Sequence, residues 1–502
     1  MTIRGILPML VVGMMVLTPL SMANHEGGDA LPASTEPRMS QAENVSGWLA
    51  SAGGASYERV SAMVPLPNGS MLVGGLFEQN VEFHGDVIGF SSEDSSFGVD
   101  FFLGWLDENG TWTGTMAGTS SGLDGIEAMD RTSDGTVIIA GTFCDMTKGD
   151  ACNMTLGELP PVNKSADDHE NGVFVAGMTP AGEWMWATSL SNPYQLSVID
   201  MMVGPNDEVH LAVLHRDSLT SGDELAPGSV SEDSIAVVVL DSTGNHLHMH
   251  TVFSSQNLEN IGSLCSDYSG QTYLATSFLE LVSFGDHELT SSGGTHVAVA
   301  QYNSGGWLWA KSAGGTSDAS ATDCDGRHDG GVAIVGDFLQ NMTFGDLEIG
   351  PSVWVDFYEA HISDQGEWLH ATGFGGGAAD HAAAIHITEQ GDSLILGKTT
   401  GTLVLGEYTL TDIDGMNDGN HHDLFLGRRQ ANSTWDWAIA AGGGGDDLPD
   451  SLSMSATGSP VISFISNSDG TYGAHAFVQR DHYDMGIWLY ETDLDLDGVL
   501  DG

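Results

Sequence analysis

The chain has 502 residues and a formal net charge of −56, with 13 Lys and Arg against 69 Asp and Glu. Such a field repels polyanions, which excludes nucleic acid and anionic lipid as partners and favours cations. Gly is abundant at 67 and Leu/Glu/Lys-rich helical runs are missing, which excludes a helical bundle; the 41% hydrophobic content excludes global disorder and leaves an all-β, turn-rich chain.

The N-terminus has the layout of a signal peptide over residues 1–23: Arg4, an apolar run from Ile6 to Leu20, and Ser21-Met22-Ala23 before Asn24. The competing reading is a membrane anchor, but the run is short for a span of ~20 residues. No second long apolar run follows, so no membrane insertion is expected after cleavage. Residues 24–46 are polar and read as a leader. This address permits disulfides. Cys144 and Cys152 bracket a short loop, "DMTKGDA", and are expected to pair. Cys265 and Cys324 are left for each other; no CxxC or Cys/His spacing suggests a metal instead.

From residue 47 the sequence repeats. The second aromatic of "GGWLWAKSAGG" (305–315) defines an anchor that falls at Trp48, Gly114, Trp186, His248, Trp309, His370 and Trp437, at gaps of 61–72 residues. After each anchor comes a turn and an apolar strand: "SMLVGGLF" (70–77), "TVIIAGTF" (136–143), "EVHLAVLH" (208–215), "QTYLATSF" (271–278), "GVAIVGDF" (331–338), "DSLILGKT" (392–399) and "SPVISFIS" (459–466). A glycine hairpin follows, as in "FHGD" (83–86), "FGDH" (284–287) and "FGDL" (344–347); the seventh unit is read as lacking it. Then a strand and turn lead back to the aromatic pair, as in "DFYEAHISDQGEW" (356–368). Four antiparallel strands in ~60 residues make one propeller blade, which must stack on its neighbours to bury both faces. The fold class is therefore all-β: a single β-propeller of seven four-stranded blades over residues 47–490. The aromatic pair is read as packing between blades. Either Trp48-Leu49-Ala50-Ser51 or "GIWLYE" (486–491) could supply the last strand; the N-terminal strand is favoured. In this register Cys265 and Cys324 occupy equivalent inner-strand positions of units four and five.

The units "G.W.WA...GG", "DG.....G.F", "FG...L" and "D.F.A..D..G" resemble the secreted β-propeller repeat family of bacterial and archaeal surface proteins, over residues 48 to about 490. The resemblance implies architecture and a secreted or cell-surface location more than an activity. The join between units three and four departs from it, with His246 and His248 in place of the Trp pair.

Residues 491–502 end in "DLDLDGVLDG". Asp493, Asp495, Asp497 and Asp501, with the carbonyl of Val499 and Gly498 at the turn, alternate hard oxygens as Ca²⁺ requires. The pattern is similar to thrombospondin type-3 and dockerin-like calcium loops; the acid expected at position twelve would lie past Gly502. Calcium is thus the expected cofactor, against the bland reading of a solvated acidic tail. In "HLHMH", His246, His248 and His250 would share one face of a strand and could hold Zn²⁺ or Cu²⁺, though packing histidines explain them as well. "NHHD" (420–423) is weaker still. "GTSSG" (118–122) matches a nucleophile elbow by letter but sits in an inter-blade turn. Sequons at Asn44, Asn68, Asn109, Asn153, Asn163, Asn341 and Asn432 admit glycans.

The expected function is a secreted or cell-surface binding or adhesion scaffold, non-catalytic, with a glycan or protein ligand. Two alternatives remain: a structural module of a larger calcium-dependent surface protein, and an extracellular carbohydrate-active enzyme with acids and aromatics converging on an axial funnel. Fold alone does not choose among them.

Overall fold

In the computed structural model, the described residues are 45–492, apart from 55, 90–98, 119, 121, 146–151, 165–170, 191, 230, 257, 259–261, 412, 414–420 and 481. They contain strands and turns and no helix. The strands form seven antiparallel blades around one axis. Blade one is Glu58–Pro65, Met71–Glu78, Val99–Leu106 and Trp112–Gly118; blade two is Leu123–Arg131, Val137–Asp145, Gly172–Met178 and Trp184–Leu190. Blade three is Gln195–Val203, Val209–Arg216, Ser234–Leu240 and His246–Ser254; blade four is Leu264–Ser266, Thr272–Phe278, His296–Asn303 and Gly306–Gly315. Blade five is Asp323–Gly326, Val332–Phe338, Asp356–Ile362 and Trp368–Gly376; blade six is Asp380–Ile387, Ser393–Thr399, Asp423–Arg429 and Trp435–Gly443. Blade seven takes Asp447–Met454, Pro460–Ser466 and Asp484–Thr492 from the end of the chain and Val45–Gly54 from its beginning. The first strand of each blade lies nearest the axis, against the first strands of its neighbours.

The ring closes as the favoured reading has it. Trp48 pairs with Leu489 and Ala52 with Met485, so the N-terminal strand is the outer strand of blade seven. "GIWLYE" is the third strand of that blade rather than the fourth. The glycine hairpin is itself a pair of short strands, absent from the four-strand count. In blade four it is Leu281–Phe284 and His287–Thr290, and it adds to the outer edge of blade three through Val252↔Phe284. The hairpins of blades one, five, six and seven pair in the same way with the outer strand of the preceding blade. This covers an edge that would otherwise offer free backbone groups. One expectation is corrected here. The seventh unit does carry the hairpin, as Gly470–Tyr472 and His475–Phe477. Tyr472-Gly473 replaces Phe-Gly, and Gly473 keeps the left-handed φ of +58° that the turn needs, beside +59° at Gly345.

The aromatic pair packs between blades because of a β-bulge. In blade four, Gln301 pairs with Trp309 and the next residue, Tyr302, pairs with Trp307, so Leu308 is the extra residue. The same slip recurs at the equivalent place in blades one, two, three, five and six. In a regular strand residues two apart share a face; one inserted residue sends them to opposite faces. The first aromatic therefore faces the preceding blade and the second the following one. Trp307 donates its indole N–H to the Thr251 carbonyl of blade three (3.3 Å), whereas Trp309 donates to the Asp364 carbonyl of blade five (3.0 Å). The hairpin phenylalanine meets the first aromatic edge to face, with centroids 4.8 Å apart for Phe83–Trp112, 5.0 Å for Phe284–Trp307 and 4.9 Å for Phe344–Trp368.

Both expected disulfides are present. Cys144–Cys152 staples the second strand of blade two to its hairpin, and Cys265–Cys324 joins the inner strands of blades four and five with Cα atoms 6.0 Å apart.

The bulge makes a testable claim. Leu308 is 44% exposed, so Leu308→Ala should change stability by less than about 0.5 kcal/mol in a denaturant titration. Deleting Leu308 restores two-residue alternation and forces both tryptophans to one face, and should cost more than about 4 kcal/mol. Equal costs for the two variants would refute the bulge as the orienting device.

Candidate functional site

The indole of the second aromatic is normally roofed by the turn between strands three and four of the next blade. Trp48 donates to the Glu108 carbonyl (2.9 Å), Trp186 to Ser242 (3.1 Å) and Trp309 to Asp364 (3.0 Å). The glycine of each turn admits the ring: a Cβ on Gly110 would stand 2.4 Å from Trp48, and one on Gly244 2.5 Å from Trp186. In blade one the anchor is Gly114, and Trp105 of the adjacent strand takes over, donating to the Pro180 carbonyl (2.9 Å).

Blade seven cannot supply this roof to blade six. Its third and fourth strands come from opposite parts of the chain, so no turn joins Thr492 to Val45. A cleft of about 410 Å³ opens at this junction. Beneath it lie the buried Trp437, Tyr490 and Leu394 and the half-buried Met454, with the Trp437 and Tyr490 rings 5.1 Å apart. Its rim is the first turn of blade six, Thr388, Glu389 and Gln390, and the first turn of blade seven, Ala456, Thr457 and Gly458. Glu389, Gln390 and Thr457 are exposed. His386 and Arg428 complete the wall. His386 Nδ1 lies 2.9 Å from Asp325, and Arg428 is held by Asp392 through Nε (3.1 Å) and Nη2 (3.0 Å). An apolar aromatic floor under a few fixed polar groups is the usual build of a small-ligand site. In a chain with 13 Lys and Arg, a guanidinium at the wall of a cleft is a conspicuous polar anchor.

The histidines form a separate cluster, and one expectation is corrected. His246, His248 and His250 do not share a face. The bulge pairs His246 with Leu240 and His248 with Val239, so His246 faces away from the other two. It meets Ser221 (2.9 Å) and Glu224 (3.1 Å). His248 and His250, with centroids 4.9 Å apart, face blade four together with His210, which occupies the same cross-strand row as His248 through Val239. Sequence reasoning missed His210, although its place in "EVHLAVLH" fixes it in that row. His210 Nδ1 lies 3.0 Å from the Tyr302 hydroxyl. Burial, with His248 and His250 close by, pushes His210 down to about 4; burial lowers His248 and His250 as well. Where blade five has His370 as anchor, a buried ionic network fills the junction with blade six. Burial raises Glu359, but His361 (2.9 Å), Arg429 (2.6 Å) and Ser393 outweigh it and bring it down to about 2.

Among the described residues, no group of three or more His, Cys, Asp or Glu converges as metal ligands would. The tail residues Asp493, Asp495, Asp497, Val499 and Asp501 lie outside the described residues, as do the leader, Asn44 and Asn420. Ser120 of "GTSSG" lies between two strands with no helix after it and donates to Asp124 (2.6 Å). His422 bonds Asp446 (2.9 Å). The side chains of Asn68, Asn109, Asn153, Asn163, Asn341 and Asn432 are exposed. At the axis, inner-strand acids bind the next blade's backbone: Asp130 accepts from the Val203 amide (2.6 Å), Asp200 from Leu264 (2.8 Å) and Asp323 from Ile385 (2.9 Å). No described helix is long and apolar enough to cross a membrane.

No family model and no curated sequence matches the chain. Solved structures with a similar strand arrangement include Sqt1 from Chaetomium thermophilum, at 9% identity and TM-score 0.42 over 89% of this chain and 99% of that one. Others are a protein of unknown function from Dyadobacter fermentans (11%, TM-score 0.36, 89% and 100%) and the Hadza microbial sialidase Hz136 (10%, TM-score 0.36, 88% and 66%). At these values the likeness carries no argument about function.

The depressed His210 predicts a pH effect. A folded-state value below the unfolded one gives stability that is present above about 6.5 and lost as pH falls toward about 4. Buried acids with raised values respond in the opposite sense, so the quantity to measure is a difference. The melting temperature of the native chain minus that of His210→Gln should fall between pH 6.5 and 4 and stay flat above 7. A pH-independent difference would remove His210 from the account.

Proposed function

We propose that this chain is a secreted or cell-surface propeller that binds, without chemistry, a glycan in the cleft between blades six and seven. The observation that carries this reading is the cleft of about 410 Å³ whose walls and rim set Arg428, His386, Gln390 and Thr457 around the half-buried Met454, above the buried Trp437 and Tyr490 rings. A sugar ring offers hydroxyls to such a rim and a small apolar face to Met454, and the cleft volume suits one or two rings. Two disulfides and the signal-peptide layout support an oxidising, extracellular setting. The surface charge supports the choice of a neutral ligand, because an acidic polysaccharide would meet like charge on most approaches.

The test is a screen of neutral and acidic polysaccharides against the full chain, followed by calorimetry on each hit. Thr457→Trp, placed on the exposed rim to fill the cleft, should abolish binding while leaving the melting temperature within about 1 °C. Gln390→Ala should weaken binding about tenfold, the worth of one lost hydrogen bond. Hits indifferent to Thr457→Trp would move the ligand away from this cleft.

A further inference from the structure

Each of the seven junctions between blades contains a repeated polar position, at or within one residue of the start of the third strand, beside the segment that crosses to the next blade; after blade one it is Asp100, and the acid of the next inner strand, Asp124, is held by the Ser120 hydroxyl (2.6 Å) and the Cys144 amide (3.0 Å). At three junctions this position is balanced from within the protein. Asn171 of blade two exchanges amide hydrogen bonds with Leu196 of blade three. Asp233 of blade three is held by Arg216 (2.6 Å) and the Leu258 amide (3.1 Å). In blade four the position is His296, which meets the Gly315 carbonyl (3.0 Å).

At the junctions after blades five, six and seven the position is an acid, Asp356, Asp423 or Asp484, and it faces a second acid at the start of the next inner strand, Asp380, Asp447 or Glu58. The crossing segment is Gly-Gly each time, and the glycines are needed for the approach. A Cβ on Gly375 would stand 2.2 Å from the Asp356 carboxylate, and one on Gly442 would stand 2.1 Å from Asp423 Oδ1 and 2.7 Å from Asp447 Oδ2. Asp447 is satisfied by the Tyr472 hydroxyl and the Gly443 amide (2.8 Å). In each of the other two pairs at least one buried carboxylate is left without a well-formed hydrogen bond, although Asp484 Oδ2 accepts from the Arg480 amide. Asp380 is 0% exposed and neither carboxylate oxygen has a hydrogen bond of normal geometry, although the Thr399 hydroxyl and the Gly376 amide lie alongside; Asp356 Oδ1 is likewise sealed and without a partner. Glu58 is 0% exposed, and both its oxygens lack a well-formed hydrogen bond beside the Gly54 amide. His381, next in sequence to Asp380, is engaged by Asp337 at 2.7 Å. Arg480 near the second pair is engaged by the carbonyls of Gly53 (3.1 Å) and Glu82 (3.2 Å).

Buried carboxylate oxygens without partners are costly unless a charge answers them. We propose that the Asp356–Asp380 and Glu58–Asp484 pairs each bind a hard divalent cation of the Ca²⁺ class, clamping blade five to six and blade seven to one. Two carboxylates match the charge of one divalent ion, and Ca²⁺ completes its shell with backbone carbonyls and water in flexible geometry. This explains why no third acidic side chain is needed. It also explains why these junctions keep acid pairs where three others have a neutral or cationic partner. Without the ion, burial pushes Asp356 up to about 6; burial and then the Asp356 charge push Asp380 up to about 7; burial and then Asp484 push Glu58 up to about 8. The proposal is independent of the glycan reading and of the acidic tail.

The test is equilibrium dialysis of Ca²⁺ in 150 mM salt with excess Mg²⁺. The full chain is used with Asp493→Asn, Asp495→Asn, Asp497→Asn and Asp501→Asn to silence the tail. Two Ca²⁺ per chain are expected. Asp380→Asn should leave one, as should Asp356→Asn at the same junction, and Asp380→Asn with Glu58→Gln should leave none. Ca²⁺ should raise the melting temperature of the tail-silenced chain and not that of the doubly substituted one. No bound Ca²⁺ in the tail-silenced chain would overturn the proposal in favour of a proton shared within each pair. So would a stoichiometry unaffected by both single substitutions in variants that still melt cooperatively.

Discussion

The structure depends on one extra residue in the outer strand. A blade must present apolar surface to two neighbours at once, yet regular alternation would send both aromatics of the pair to the same side. The bulge at Leu308 and its counterparts resolves this by rotating one aromatic back and the other forward. The remaining inter-blade features follow from it. The hairpin phenylalanine meets the backward ring, the next turn's glycine meets the forward ring, and each glycine is fixed by the ring it touches. Where a blade departs from the aromatic pair, the interface is rebuilt with other chemistry. Trp105 substitutes beside Gly114, a histidine row stands at His248, and the Glu359–Arg429 network stands beside His370.

Much of this was legible in the sequence, because a repeated unit states its own register. The seven strands such as "GVAIVGDF" and the anchors near Trp309 place the blades, and equivalent positions for Cys265 and Cys324 place the inner disulfide. What was not legible has a physical cause. A bulge leaves no residue signature, since "WLW" reads as ordinary alternation, and so His246 was put on the wrong face. The seventh hairpin was missed because Tyr472-Gly473 meets the same φ requirement with a different ring. The cleft was invisible for another reason. It arises from a connection that does not exist, and no residue announces a missing turn.

Acid at the axis and acid at the junctions serve different ends although composition does not distinguish them. Asp130, Asp200 and Asp323 are buried, yet each accepts a backbone N–H from the next inner strand, so they join neighbours in the manner of a capping side chain. Burial still pushes Asp130 up to about 6 and Asp323 up to about 7. Burial thus leaves these interior carboxylates closer to taking up a proton than a solvated one. The chain's many acids are a solvated surface outside and conditional charges within.

The closing strand has a mechanical consequence. Val45 pairs directly with Thr492 in an antiparallel ladder, so these two end segments of the propeller lie side by side at one corner. A tension applied between those two segments would load the ladder one backbone pair at a time, as a zipper is loaded, and would open blade seven at low force. The same propeller held by one segment alone feels no such load, because the pull bypasses the ladder's far end. A ring closed by such a ladder is weakest against a pull on both of its ends at once and indifferent to a pull on one.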